Sequence, residues 1–332
     1  MYVAMKRQRN HFSSTIFLFL FLFNFNVFGH DSDDGKMTYT SKNIIGFENI
    51  FDNAINTQPD QEVFGYLRFP DEINDIYPLI IASHGSLNWR EHHLKYLELM
   101  RQAGFAVFAM HPFDSRGTTS TVGDQINLTL ETVIWDMAMA LKMLWDDPRI
   151  DNRKIYAAGW SLGGSAVLFN AWMPFQQEAF EKGESFTGYL MWYPGCMALP
   201  DVDDWDKDLM QIYMGAADNW TPPKPCIELV SRINKMGGNA KIELYPGAYH
   251  TFDGLLPLKL WPDAYSFAEC EFWVSGETKT VYAPNKGEFD FSDPQARRRA
   301  YETCAIKGKV MAGSSPEYQN AAYVHLATLL KN

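Results

Sequence analysis

The chain has 332 residues, of which 46% are hydrophobic and 21% charged, so it can bury one large core and we expect a single folded domain. An aromatic content of 15% argues against a disordered chain. The formal net charge of −11 argues against nucleic acid or another polyanion as a partner.

The first 29 residues have the pattern of a signal peptide. Lys6, Arg7 and Arg9 precede an apolar run at 16–28, and we predict cleavage after Gly29. The run is short for a hydrocarbon core of about 30 Å, and an uncleaved membrane anchor is the alternative. We therefore expect residues 30–332 to form the domain, in the periplasm or secreted, with membrane contact only if the anchor is retained. Cleavage would change the formal charge from −11 to −14, since 1–29 hold three basic and no acidic residues.

The rest of the chain alternates between short β-branched or aromatic stretches and longer stretches of helical period. After a polar lead at 31–42, we predict strands at 63–68, 77–83, 105–110, 154–159, 187–193, 209–215 and 241–245. We predict helices at 91–103, 129–145, 161–173, 223–236 and 316–331. This order predicts an α/β fold with a mostly parallel sheet, helices on both faces and functional groups at the carboxyl ends of strands.

A strong catalytic pattern follows the predicted strand at 154–159. The segment 159–163 reads Gly-Trp-Ser-Leu-Gly and leads into an apolar helix, the context of a nucleophile elbow. A tight turn that exposes the serine hydroxyl needs small neighbours, and Gly159 and Gly163 supply them. The alternative is a glycine-rich turn that only packs a helix on a strand. We predict Ser161 as the nucleophile.

A serine nucleophile needs a general base and an acid that orients the base. Asp218 follows the predicted strand at 209–215, and His250 follows the one at 241–245 through a Pro-Gly turn. Both should reach the same sheet edge, in the chain order Ser, Asp, His of α/β-hydrolases. The rival carboxylates lie in a polar stretch that we interpret as a solvated loop; they are Asp201, Asp203, Asp204 and Asp206.

The other histidines fit the role of base less well than His250. His92 and His93 fall in a predicted exposed helix start, and His325 falls in the last predicted helix. His111 follows a strand too early in the chain for this order. His84 lies in an early loop, where we predict that it braces the backbone.

The oxyanion of an acyl-transfer intermediate needs two backbone N–H donors. One is the amide after the nucleophile, here that of Leu162. The second should come from the loop after the strand at 77–83, where Gly85 would let the Ser86 amide turn inward. We predict Leu162 and Ser86 as the oxyanion hole.

These segments together resemble the dienelactone hydrolase branch of the α/β-hydrolases. The resemblance covers about residue 60 to the C-terminus and rests on His84-Gly85, 114–117, 159–164, 215–222 and 250–252. It implies the α/β-hydrolase fold and the hydrolysis of a carboxylic ester or lactone of small or medium size, although none of these segments is specific for a substrate. Dienelactone hydrolases proper have a cysteine where this chain has Ser161, so the serine favours an ordinary esterase with an acyl-enzyme intermediate.

Three residues are candidates for binding the substrate: Trp160, Trp220 and Arg116. The Arg116 guanidinium could bind a carboxylate, and the alternative is an ion pair that braces its own loop. No cofactor is predicted. The same triad could also serve a peptidase or an acyltransferase, and a catalytically silent binding domain is the third hypothesis.

The four cysteines are Cys196, Cys226, Cys270 and Cys304, an even number that predicts two disulfides in an exported chain. Their spacing does not suggest a zinc site. Sequence order leaves three pairings open. Exported relatives of the resembled branch are similar in pairing the cysteines that correspond to Cys196 and Cys226, which flank Asp218 after successive predicted strands. The second pair would then close an irregular excursion at 255–294.

Overall fold

The computed structural model describes residues 35–331, and the predicted signal segment at 1–29 lies outside the described residues. In chain order the strands are β1 Lys36–Lys42, β2 Asp60–Arg68, β3 Tyr77–Ser83, β4 Ala106–Met110, β5 Ile150–Trp160, β6 Gly188–Trp192, β7 Ala198–Pro200, β8 Leu209–Gly215, β9 Asn239–Tyr245, β10 Lys259–Trp261, β11 Tyr265–Ser266, β12 Phe272–Val274, β13 Val281–Ala283, β14 Gly287–Phe289, β15 Ile306–Lys307 and β16 Val310–Ala312. The α-helices are α1 Glu91–Gln102, α2 Leu130–Trp145, α3 Leu162–Asn170, α4 Met173–Ala179, α5 Pro223–Lys235, α6 Pro294–Glu302 and α7 Pro316–Leu329.

The main sheet has the order β1-β2-β4-β3-β5-β6-β8-β9. Pairing is parallel from β4 through β9, whereas β2 is antiparallel to β4 and β1 is antiparallel to β2. The carboxyl ends of the parallel strands therefore meet at one edge. This is the predicted α/β fold.

Helices cover both faces of this sheet. On one face, α1 and α7 bury Tyr96 and Leu326 against strand residues such as Ile80. On the other face, α2 and α3 bury Ile134 and Val167 within a larger apolar cluster. Apolar side chains on both sides of each central strand explain the near-continuous hydrophobic runs in the sequence.

The structure differs from the predicted elements in two places. The predicted helix at 161–173 ends at Asn170, and a separate helix begins at Met173, because Pro174 lies in its first turn and starts a new helix. The predicted polar lead at 31–42 contains β1, an edge strand that pairs with β2 along its whole length. Its inward side chains alternate with exposed lysine and threonine.

Residues 255–315 form an excursion that leaves the main sheet after β9 and returns before α7. It holds short strands of two or three residues, and β12 pairs in parallel with β7. Disulfides join Cys196 to Cys226 and Cys270 to Cys304, the pairing expected from the sequence. Two disulfides fit an oxidising compartment.

Within residues 35–331, the helices are too short or too polar for any of them to cross a bilayer.

Candidate active site

Ser161 lies in a tight turn between β5 and α3. Its backbone has φ 52° and ψ −113°, a conformation that costs energy for a residue with a side chain. A Cβ atom on Gly159 would lie 2.3 Å from the Gly163 carbonyl oxygen, and one on Gly163 would lie 2.3 Å from that of Ser83. Both positions therefore require glycine, and the turn holds the serine at the carboxyl edge of the sheet.

The structure brings Ser161, His250 and Asp218 together. The Ser161 hydroxyl donates to His250 Nε2 over 2.9 Å, and His250 Nδ1 donates to the Asp218 carboxylate over 2.7 Å. Asp218 and His250 are almost completely buried. The order of contacts lets the imidazole accept the serine proton while the carboxylate fixes its tautomer and orientation.

Asp218 also binds the backbone of its own turn. Its carboxylate accepts hydrogen bonds from the amides of Trp220 (2.8 Å) and Thr221 (3.0 Å) and from the Thr221 hydroxyl (3.1 Å). An ionised carboxylate can accept all of these bonds together with that of His250. Sequence analysis missed Thr221, which lies three residues after Asp218 in the turn that follows β8.

Two aromatic rings hold the His250 imidazole between them. The ring centroids of Tyr193 and Trp220 lie 4.7 and 4.8 Å from that of His250. The Tyr193 hydroxyl donates to the buried Asp253 carboxylate over 2.9 Å, which fixes the tyrosine in turn. Neither Tyr193 nor Asp253 was predicted, because only the folded chain brings them next to His250.

The loop after β3 passes close to Ser161. A Cβ atom on Gly85 would lie 3.2 Å from Ser161 Cβ, and Ser86 lines the space beside Ser161. The Ser86 carbonyl accepts from the Thr121 amide over 2.9 Å, which orients this peptide segment. Leu162 is the first residue of α3, where backbone N–H groups have no partner within the helix.

His84 is buried beneath this loop. Its Nδ1 donates to the Gly85 carbonyl over 2.8 Å, and burial lowers the pKa of the imidazole to about 4. The ring is therefore neutral at pH 7. This contact agrees with the predicted bracing role.

The prediction of an exposed helix start at His92 and His93 is wrong. Both side chains are buried in the first turn of α1, and burial lowers the pKa of each imidazole. His93 Nδ1 accepts a hydrogen bond from the Arg90 amide over 3.1 Å. The His93 ring packs against Trp160, with ring centroids 4.8 Å apart, and the His92 ring packs against that of His93, with centroids 3.9 Å apart.

Two pockets meet at Ser161. The outer pocket has a volume of about 250 Å³, and its walls include His250, His92, Trp261 and the exposed side chains of Leu255 and Leu256. The inner pocket has a volume of about 80 Å³ and is lined mainly by aromatic and aliphatic side chains. Ser86 and Trp220 line both pockets. The excursion at 255–315 contributes walls to each.

The three candidate substrate-binding residues differ in their positions relative to the two pockets. Trp220 lines both pockets, and its role in binding substrate stays a prediction. Trp160 lines the outer pocket, but its side chain is fully buried and stacks on Trp192, with ring centroids 4.8 Å apart. The prediction of Arg116 as a pocket residue is not supported, because this side chain lines neither pocket.

Arg116 instead forms a buried ion pair. Its guanidinium donates to both oxygens of Asp136 over 2.7 and 2.9 Å and to the carbonyls of Lys42 and Pro112. These bonds tie the loop after β4 to α2 and to the end of β1. The ion-pair alternative therefore describes this residue, with a partner on a helix rather than in its own loop.

Comparisons with known proteins agree with this architecture. The profile of the dienelactone hydrolase family matches residues 81–256, more than half of the chain. The structure is similar to that of Thermogutta terrifontis esterase 2 phosphoramylated by tabun, with 16% identity, a TM-score of 0.50 and coverage of 68% of this chain and 88% of that one. The native esterase 2 gives 16% identity, a TM-score of 0.49 and coverage of 67% and 85%. The first of these likenesses shows a shared fold. The chain matches no curated protein.

Proposed function

The chain belongs to the dienelactone hydrolase family and is a hydrolase that acts on ester bonds, and we propose that Ser161 is its nucleophile. The observation that carries this proposal is the unbroken chain of hydrogen bonds from Ser161 through His250 to Asp218. The substrate we propose is a small carboxylic ester or lactone, which reacts through an acyl-enzyme.

In the first step, Ser161 Oγ attacks the carbonyl carbon of the ester while its proton passes to His250 Nε2. The carbonyl oxygen becomes an oxyanion, which the amides of Leu162 and Ser86 would stabilise. The Asp218 carboxylate stabilises the imidazolium. The tetrahedral intermediate then collapses, the bond to the alcohol oxygen breaks, and this oxygen takes the proton from His250.

In the second step, water attacks the acyl-enzyme and gives its proton to His250 Nε2. Collapse of the new intermediate releases the carboxylic acid and returns the proton to Ser161 Oγ, so the enzyme is regenerated. The buried environment of Asp218 and His250 supports this cycle, because electrostatic interactions are stronger where water is excluded.

A panel of esters, lactones and amides tests this function. We expect the wild-type enzyme to hydrolyse esters or lactones faster than amides, and the Ser161→Ala variant to lose this activity while its circular dichroism spectrum is unchanged. Faster turnover of amides would favour a peptidase, and accumulation of a new ester in the presence of an added alcohol would favour an acyltransferase. A folded wild-type protein that turns over none of these compounds would support a silent binding domain.

We also propose that residues 1–29 direct export and are removed. The basic residues and apolar run of this segment support the proposal, as does the presence of two disulfides in the folded domain. N-terminal sequencing of the protein from the extracytoplasmic fraction should begin at His30. An intact Met1 in the membrane fraction would instead support the anchor.

A further inference from the structure

The two pockets at Ser161 differ in the catalytic groups that they contain. His250, which would give its proton to the departing alcohol, lines the outer pocket but not the inner one. Leu162, whose amide would bind the oxyanion, lines the inner pocket but not the outer one. An alcohol must leave on the side of the imidazole, so the outer pocket fits the alcohol part of an ester. The inner pocket then receives the acyl part.

The inner pocket has a polar wall among apolar ones. Its rings include Phe267 and Phe272, but Arg297 and Glu131 also line it, and both side chains are at most 2% exposed. The Arg297 guanidinium donates to Glu131 Oε1 over 2.7 Å and also to the Ile45 carbonyl. Arg297 lies in α6 of the excursion, and Glu131 lies in α2. The ion pair therefore joins the excursion to a helix of the main sheet at the wall of the inner pocket.

The ion pair leaves one donor and one acceptor unmatched. Among the described residues, neither the Nε–H group of Arg297 nor the Oε2 atom of Glu131 has a hydrogen-bond partner, although both atoms are buried. Buried polar groups without partners are costly. Both atoms lie below the pocket surface, so a ligand reaches them when the two side chains shift slightly, and a group that satisfies both would then be favoured. The opposite charges of the pair offset each other, which removes the net attraction for a carboxylate. A neutral hydroxyl group both accepts and donates, and it therefore fits this pair.

The volume of the inner pocket limits the length of the acyl group. An apolar cavity of about 150 Å³ holds one benzene molecule. The inner pocket, at about 80 Å³, is roughly half that size. It therefore suits an aliphatic acyl chain of a few carbon atoms better than an aromatic acid or a fatty acid.

We propose that the inner pocket is the acyl pocket and that Arg297 and Glu131 select esters of short hydroxy acids. This proposal rests on the proposed function, since it assigns the two sides of the Ser161 reaction. Arg297 and Glu131 are specificity residues here, and the hydrolytic step itself does not require them. The alcohol part of the substrate extends into the wider outer pocket, toward the exposed leucines Leu255 and Leu256.

The first experiment compares kcat/KM for ethyl acetate, ethyl butyrate, ethyl hexanoate, ethyl 3-hydroxybutyrate and ethyl 4-hydroxybutyrate, measured by proton release. We expect the better hydroxybutyrate to exceed butyrate by about tenfold, as one or two hydrogen bonds to charged groups would give. Hexanoate should react more slowly than butyrate. Equal values for butyrate and both hydroxybutyrates would overturn the selection of a hydroxyl group.

The variant Arg297→Met/Glu131→Leu replaces the buried pair with apolar side chains of similar size. Such replacements are often neutral for stability, whereas removal of one partner leaves a lone buried charge. We expect this variant to lose the preference, so that its kcat/KM for the hydroxy ester no longer exceeds its kcat/KM for ethyl butyrate. The matched control is Arg116→Met/Asp136→Leu, a buried ion pair outside both pockets, which should keep the preference.

A second variant tests the acyl pocket without disturbing the ion pair. Ala198 lines the inner pocket only, and Ala198→Leu should lower kcat/KM for butyrate more than for acetate. Leu256→Ala, in the outer pocket, should instead change the dependence on alcohol length. If Ala198→Leu altered only the dependence on the alcohol, the assignment of the pockets would be overturned. These failures are distinct from a failure of the proposed function, in which the wild-type enzyme would hydrolyse no ester.

Discussion

The carboxyl edge of the main sheet and the excursion at 255–315 contribute to the same site in different ways. At the sheet edge, three turns after long parallel strands hold Ser161, Asp218 and His250 within hydrogen-bond distance. The excursion consists of strands of two or three residues, one helix and one disulfide, and it lines the pockets. In the mechanism we propose, the chemistry depends on the main sheet, and substrate fit depends on a segment that can change without altering the sheet.

Loss of the sheet-edge triad should have the largest effect. We expect His250→Ala to lower kcat by a factor on the order of a thousand or more, because the Ser161 proton then has no acceptor. Asp218→Asn should also lower kcat severely, and the effect of either change should be small when added to Ser161→Ala. Steady-state kinetics of the single and double variants measure this. Full activity of His250→Ala would contradict the assignment of the base.

Gly159→Ala tests whether the sheet edge needs its close backbone contacts. The added Cβ atom would lie 2.3 Å from the Gly163 carbonyl oxygen, so the elbow must shift. A shift of about 1 Å at a nucleophile can cost on the order of a hundredfold in rate. Gly247→Ala is the comparison within a nearby turn. There no atom lies within 4 Å of the added group, and the strain comes instead from a backbone φ of +71°. A normal kcat for Gly159→Ala would show that catalysis does not require the close approach of Gly159 to the Gly163 carbonyl.

The disulfide of the excursion should matter more for stability than for the chemical step. Cys270→Ser/Cys304→Ser opens a loop with a sequence separation of 34, which corresponds to about 3–4 kcal/mol in the chain-entropy model. We expect urea unfolding at lower denaturant, a higher KM and little change in kcat. Cys196→Ser/Cys226→Ser is the matched pair beside Asp218, and it should lower kcat as well. If both double-cysteine variants changed kcat and KM equally, the proposed difference between the sheet edge and the excursion would be contradicted.

Acid should destabilise the sheet-edge region through its buried histidines. Because burial lowers the pKa of His84 to about 4, against an ordinary value of 6.5, the unfolded chain binds a proton at pH 5 that the folded protein excludes. This contribution to stability is therefore full well above pH 6.5 and falls as the pH drops toward 4, by about 1.5 kcal/mol between pH 6.5 and 5 for this group. His84→Asn should reduce this loss in urea titrations at the two pH values. An identical pH dependence in both proteins would exclude a contribution from His84.

The sequence predicts the sheet edge well because each part of it has a local signal. The elbow has its two glycines, and Asp218 and His250 each follow a strand through a short turn. Strand β1 escaped prediction because its alternation of Met37, Tyr39 and Ser41 with polar residues resembles a solvated segment. A strand at the sheet edge needs only one buried face, so its hydrophobic signal is weak.

The excursion is harder to predict because its contacts are distant in sequence. Strands of two or three residues are too short to show a period. Arg297 stands in a run of three arginines, which suggests a solvated surface, yet it pairs with Glu131, which lies 166 residues earlier in the chain. The partner of Arg116 was unpredictable for the same reason, since only the tertiary structure shows that its guanidinium is hydrogen-bonded to Asp136.

Mass spectrometry of the protein after reaction with a fluorophosphonate probe tests the role of the sheet edge most directly. The probe reacts with an activated serine, so we expect a single adduct on the peptide that contains Ser161, and greatly slowed labelling of the folded His250→Ala variant. The Arg297→Met/Glu131→Leu variant should still be labelled, because its changes lie outside the triad. An adduct on another serine, or no adduct on folded wild-type protein, would contradict Ser161 as the nucleophile.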